Sequence, residues 1–116
     1  MKHNRDIARF DQPLGLACGK TFTEFDVAYE TYGTLNPQRD NAILVLHGLT
    51  GTQHAAGPAE AGDRPGWWDA AIGPGKAFDT DRYFVVSPNA LGSYGGSTSP
   101  ASRNPDTNRA YGAEFP

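Results

Sequence analysis

The residues best suited to chemistry lie in NAILVLHGLTGTQHAAG, positions 41–57. An apolar run at 42–46 meets His47 and Gly48, and polar residues and glycines follow. Glycine lets a chain turn sharply and lets a ligand approach the main chain. A turn there exposes N–H groups that no neighbouring strand takes up. Donors held in that way suit an oxyanion that forms during acyl transfer. The amide of Leu49 is the leading candidate donor, with Thr50 next. An ordinary strand-to-loop turn would carry the same dipeptide, so His47-Gly48 alone assigns no role.

Other groups leave alternatives open. His47 and His54 can each be read as a base or metal ligand. They can equally be loop residues, with the His47 ring bracing the main chain. No cysteine or second histidine cluster completes a metal site, and Asp79-Thr80-Asp81 is too short for a calcium loop. A nucleophile elbow needs Gly-x-Ser-x-Gly between a strand and a helix. Gly95-Gly96-Ser97-Thr98-Ser99 lacks the final glycine, and Ser93 has Leu91 where the first glycine belongs. Neither serine is a convincing nucleophile. Trp67 and Trp68 would point about 100° apart on a helix, toward core or pocket.

These candidates need elements to position them. The run at 42–46 reads as a strand buried on both faces, as in the centre of an α/β sheet. Tyr83, Phe84, Val85 and Val86 form a second such strand. Functional crevices in open α/β sheets lie beyond the carboxyl ends of such strands, where His47-Gly48 falls. Between the two strands, 48–82 holds ten glycines or prolines, which leaves room for only a short helix within 66–79. Residues 21–35 alternate, with Phe25, Val27, Tyr29 and Thr31 on one face and Glu24, Asp26, Ala28 and Glu30 on the other. That period predicts a half-buried antiparallel strand, with 10–16 as its candidate partner. Residues 36–41 carry turn chemistry, and 1–13 read as a loose leader. Residues 87–116 show no apolar period and read as a long loop region that must pack on something else.

A chain of 116 residues fits one domain. The net charge of −3 argues against a nucleic-acid partner, which calls for a basic footprint. Cys18 is the one cysteine, so no disulfide forms within the chain and a cytoplasmic location is expected. No apolar run approaches membrane-spanning length, and no membrane partner is expected.

Four stretches then follow one another in order: YETYGTLN (29–36), NAILVLHGLTGTQHAAG (41–57), GWWDAAIGPGKAFDTDRYFVVSPNALGSYGGSTSP (66–100) and NPDTNRAYGAEFP (104–116). Together they resemble the N-terminal part of the homoserine O-acetyltransferases of methionine biosynthesis. The resemblance implies the first segment of a single α/β-hydrolase-type domain spanning 1–116, incomplete in this chain, with antiparallel edge strands leading into a central parallel sheet. It implies a serine acyl-enzyme that takes an acetyl group from acetyl-CoA and passes it to the hydroxyl of L-homoserine. Acetyl-CoA is then a co-substrate, with no bound cofactor and no metal, and the complete enzyme a homodimer. Nucleophile and triad partners fall outside these residues, so no catalytic side chain is expected within them. What maps onto the family is the loop Gly48, Leu49, Thr50, Gly51 and Thr52, an oxyanion-side and substrate-specificity loop. Many relatives carry alanine after the histidine, where this chain has the equally small Gly48. The 92–97 segment departs from the commoner family wording and receives no role. The same loop is compatible with a succinyl donor or a serine acceptor, and the composition is compatible with a non-catalytic interaction module. The 116-residue chain, incubated with acetyl-CoA and homoserine and followed for free thiol, is expected to give no turnover above a blank.

Overall fold

The structure is a computed structural model and describes residues 1–58 and 64–116. Its frame is a four-stranded sheet ordered β1-β4-β8-β5. Strand β1 (His3–Phe10) runs antiparallel to β4 (Phe25–Tyr32), paired from His3 with Tyr32 through to Phe10 with Phe25. The expected loose leader is therefore an edge strand, and the expected partner at 10–16 is displaced toward the N-terminus. Its sequence hides this because an edge strand buries little, and Ile7 and Phe10 are both exposed. Charged residues along such a strand also discourage pairing with another chain. Within 10–16, β2 (Leu14–Gly15) instead closes a small hairpin with β3 (Thr21–Phe22).

Strand β4 alternates as expected and pairs antiparallel on both sides, with β1 and with β8 (Phe84–Pro88). The polar side of its pattern is the deeper one. Ala28, Glu30 and Tyr32 are buried, while Phe25, Val27 and Tyr29 are half-buried. Strand β5 (Ala42–Leu44) lies parallel to β8, and the amide of Val45 continues the ladder to the carbonyl of Val86 at 2.9 Å.

The run at 42–46 is covered on one face only. Val45 packs with Tyr32, Val85, Ile72, Ala55 and Ala56 in the core, whereas Leu44 and Leu46 are 64% and 69% exposed. No described element lies over that second face, so the expectation of burial on both faces does not hold within this chain. The free edge of β5 is also without a partner strand among the described residues.

The crossover from β5 to β8 contains no helix among its described residues, contrary to expectation. One turn forms at the tryptophans, where the amide of Ile72 bonds the carbonyl of Trp68 at 3.1 Å. Gly73-Pro74-Gly75 then stops it, because Gly73 and Gly75 take positive φ and proline cannot donate. The chain instead pairs β6 (Ile72–Gly73) with β7 (Phe78–Asp79) in parallel. Trp67 and Trp68 stack on each other, and Trp68 also packs against Phe78.

The C-terminal segment is better anchored than its composition implies. Strand β8 takes in Ser87 and Pro88, and a hairpin joins β9 (Arg103–Asn104) to β10 (Arg109–Ala110). Tyr111 and Phe115 close edge-on and tilted contacts onto Phe22, next to Phe25. The surface that receives 87–116 is thus an aromatic cluster whose members lie about ninety residues apart in sequence, beyond the reach of any local period.

Gly33 ends β4 with φ +87°, and a Cβ there would meet the carbonyl oxygens of Tyr83 and Thr80. Gly33→Ala is expected to destabilise the fold by about 3 kcal/mol, read as a lower urea midpoint at unchanged slope.

Candidate active site

The strand β5 delivers the chain to His47, and the ring of His47 explains why the strand stops there. Its Nδ1 lies 2.7 Å from the carbonyl of Gly48, and its Nε2 accepts the amide of Ala90 at 3.0 Å. An acceptor at Nε2 puts the proton on Nδ1, which donates to Gly48. Both nitrogens are engaged with the main chain, so His47 braces two loops and is not a free base.

Beyond it, the amide of Gly51 bonds the carbonyl of Gly48 at 3.0 Å, which makes 48–51 a tight turn with Leu49 and Thr50 at its centre. Among the described residues, the amides of Leu49 and Thr50 meet no acceptor. Gly51 is required by contact: a Cβ there would sit 2.8 Å from Cβ of His47. Gly48 and Leu49 border a cleft of about 610 Å³ whose far wall is Ala90, Leu91, Gly92 and Ser93. Thr50, Gly51 and Thr52 border a second cleft with Gln53, His54 and Trp67, and Tyr94 lines both. The structure thus places the unpaired amides at the carboxyl end of a parallel strand and beside open space.

Several contacts hold this loop. The hydroxyl of Tyr94 donates to Thr50 O at 3.2 Å, the indole of Trp67 to Thr52 O at 2.8 Å, and Gln53 Nε2 to Gly95 O at 2.7 Å. The segment 92–97, given no role from sequence, is therefore the opposing wall of the loop. Asn89 organises that wall, as its buried Oδ1 accepts the amides of Gly95 and Ser97. The Ser97 hydroxyl donates to Asn89 O at 2.6 Å and accepts the amide of Ala28 at 3.0 Å. A buried serine bonded in that way is a structural tie between β4 and the wall, in line with its failure to fit the elbow pattern.

Beneath the loop lies a cluster that the sequence did not disclose. Glu30 is fully buried on β4. Its Oε1 accepts Arg5 through Nε and Nη2, both at 2.7 Å. Its Oε2 accepts the Tyr32 hydroxyl at 2.5 Å, and lies 2.9 Å from His3 Nε2 and 3.0 Å from His54 Nδ1. Burial pushes the Glu30 carboxyl upward, but the bonds from Tyr32, His54, Arg5 and His3 outweigh it and hold the pKa below the usual carboxylate range. Burial, and then the bond to Glu30, push the Tyr32 phenol well up. His3, Glu30 and His54 offer ligand atoms within 4.8 Å of one another, a set that can hold a metal ion. A cation there would compete with the Tyr32 proton for Oε2, and Arg5 already neutralises the carboxylate. The set reads first as a hydrogen-bonded ion cluster. Two of its members were visible in the sequence without their role: a glutamate in an alternating strand, and a histidine in a segment read as leader.

A mixed sheet ordered β1-β4-β8-β5, with a tight turn after its parallel strand, is part of an α/β-hydrolase fold. Solved structures agree. Homoserine O-acetyltransferase from Bacillus anthracis superposes with a TM-score of 0.86 at 38% identity, covering 100% of this chain and 33% of that one. The esterase E22 superposes at 0.84, also at 38% identity, covering 99% and 33%. Among curated proteins, homoserine O-succinyltransferases match from Pseudomonas putida, 59% identical over 94% of this chain and 29% of the relative, and from Litchfieldella anticariensis, 59% over 94% and 28%. No protein-family model matches. The chain is thus similar to part of the homoserine O-acyltransferases, and spans about 29% of the length of the curated relatives it matches. No helix among the described residues is long and apolar enough to cross a membrane.

The Glu30 cluster has a pH signature. A carboxyl held below its unfolded pKa contributes stability that is full above that value and is lost as pH falls through the folded one. Glu30→Gln is expected to cost roughly 2 kcal/mol at neutral pH. In urea titrations, the gap between wild type and Glu30→Gln should begin to close only below about pH 4.3, the ordinary glutamate value.

Proposed function

We propose that the protein carrying this chain transfers an acyl group from an acyl-CoA to the hydroxyl of L-homoserine through a serine acyl-enzyme, and that residues 48–52 supply the oxyanion side of the site. The observation that carries the reading is the turn 48–51, whose two central amides are unpaired at the end of a parallel strand and beside a cleft. Leu49 N–H is the donor, with Thr50 next in line. As the carbonyl of the thioester becomes tetrahedral, its oxygen gains negative charge, and a fixed amide stabilises that charge without reorganising. The same donor serves again when the homoserine hydroxyl attacks the acyl-serine. Ser97 is occupied as a tie, so the nucleophile and its histidine and aspartate are assigned to sequence outside the matched stretch.

Sequence reasoning leads to acetyl-CoA as donor. The succinyltransferase names of relatives at 58–59% identity favour succinyl-CoA, against a solved acetyltransferase at 38%. The residues lining the Leu49 cleft are uncharged, so they do not by themselves select a donor with a free carboxylate. Homoserine and the acyl-CoA are the expected partners.

The test is thiol release by the whole gene product with homoserine and either succinyl-CoA or acetyl-CoA. Faster turnover with succinyl-CoA supports the donor reading, and faster turnover with acetyl-CoA reverses it. Leu49→Pro removes the N–H and is expected to lower kcat at least about 100-fold. Wild-type turnover in that variant removes Leu49 as the donor.

A further inference from the structure

We infer that Tyr32, aimed by Glu30, is a positioning residue for the oxyanion-side loop. The inference rests on the acyl-transfer reading above and adds a group that does not touch substrate. The Tyr32 hydroxyl accepts the amides of Ala55 and Ala56, at 2.9 and 3.2 Å, and donates to Glu30 Oε2 at 2.5 Å. Those three bonds use the capacity of a phenol, and the carbonyl of Gln53 lies farther from the hydroxyl, at 3.4 Å. Tyr32, Ala55, Ala56 and Glu30 are all fully buried. Two other ties on the loop, from Tyr94 to Thr50 and from Trp67 to Thr52, come from exposed side chains, and the buried Gln53 side chain reaches the opposing wall at Gly95 and not the sheet. Tyr32 therefore supplies the anchor that reaches the loop from inside the sheet.

Glu30 sets the direction of that anchor. An ionised carboxylate only accepts, so the hydroxyl must donate toward Glu30, and its lone pairs are left facing the two amides. A neutral amide at position 30 could donate instead, and the hydroxyl would then be free to turn away. His54 Nδ1 also reaches Oε2, which ties the residue next to Ala55 to the same carboxylate. The loop is thus pinned at 54–56 from below and at 47 by the His47 brace, with the turn of Leu49 and Thr50 held between the two points. Oxyanion donors act only where the charge develops, and a misplacement of about 1 Å can cost roughly 100-fold in rate.

The experiment compares three forms of the whole gene product: wild type, Tyr32→Phe and Phe22→Leu. Phe22 is buried in the aromatic cluster, away from the loop, and reports what lost stability alone does. Tyr32→Phe is expected to lower kcat roughly 10- to 100-fold with KM for homoserine changed less than about threefold. Phe22→Leu should lower Tm with kcat per folded molecule unchanged. Wild-type kcat in Tyr32→Phe, or an equal loss of kcat in Phe22→Leu, overturns the inference while leaving the acyl-transfer reading intact. A wild type that moves no acyl group overturns both. Should Tyr32→Phe not fold, amide exchange on the wild type decides. Protection at Ala55 and Ala56 comparable to that at Val85 supports the anchor, and exchange as fast as at Leu49 overturns it.

Discussion

The structure depends on one buried carboxylate. Glu30 lies in the middle of β4, the strand that contacts both β1 and β8, and its two oxygens are divided between neighbours. Oε1 receives Arg5 from the edge strand, and Oε2 receives Tyr32 from β4 itself and is met by His3 of the edge strand and His54 of the loop. A charge removed from water is costly unless every lone pair finds a donor, and here the donors come from three separate stretches of chain. None of those stretches can shift without exposing Glu30 to an unpaired state. That constraint explains why a strand as polar as β1 has a definite register.

The order of assembly follows from the same contacts. Strands β1 and β4 are close in sequence and align over eight residue pairs, so they can form early at small loop-closure cost. The long crossover then has to bring Val45, Ala55, Ala56 and Ile72 onto Tyr32 and Val85. It does so with little regular structure, using turns at 48–51 and 66–72 together with side-chain bonds to main-chain groups. Close main-chain approach stands in for a helix there. A Cβ on Gly66 would lie 2.3 Å from the amide of Ala56, so the two limbs of the crossover meet backbone to backbone.

Legibility in the sequence follows the range of the interactions. The strands β4, β5 and β8 announced themselves through local pattern, and the turn after β5 through His47-Gly48 and Gly51. The strand β1 did not, because it is polar and its bonds to Glu30 are made by side chains with no local pattern. The aromatic contacts of Phe22 with Tyr111 and Phe115 have no local pattern at all. The inward direction of Glu30 was hidden for a related reason. Period-two alternation divides a strand into two faces but leaves open which is inside, and apolar Val27 and Tyr29 argued for the wrong one. The role of Tyr32 needed two facts from separate stretches of the chain: the location of the acceptor, and the arrival of Ala55 and Ala56 above it.

Hydrolysis and acyl transfer to an alcohol pass through the same tetrahedral oxyanion, so the donors proposed at 48–52 would suit either. An esterase and a homoserine O-acetyltransferase both superpose on this chain, and the physical demand on oxyanion donors does not differ between water and an alcohol as the second nucleophile. The choice between them must therefore reside in groups that hold the alcohol and exclude water. The exposed face of Leu44 and Leu46 and the free edge of β5 lie on the strand that carries the turn. Apolar side chains at an unpaired edge gain most from a further strand laid alongside. Such a strand would place its own carboxyl end next to Leu49, where a nucleophile elbow has to stand if its acyl carbonyl is to reach the amide. On the proposed reading, the turn at 48–51 would set the position of the oxyanion, and an element paired with β5 would carry the nucleophile to it.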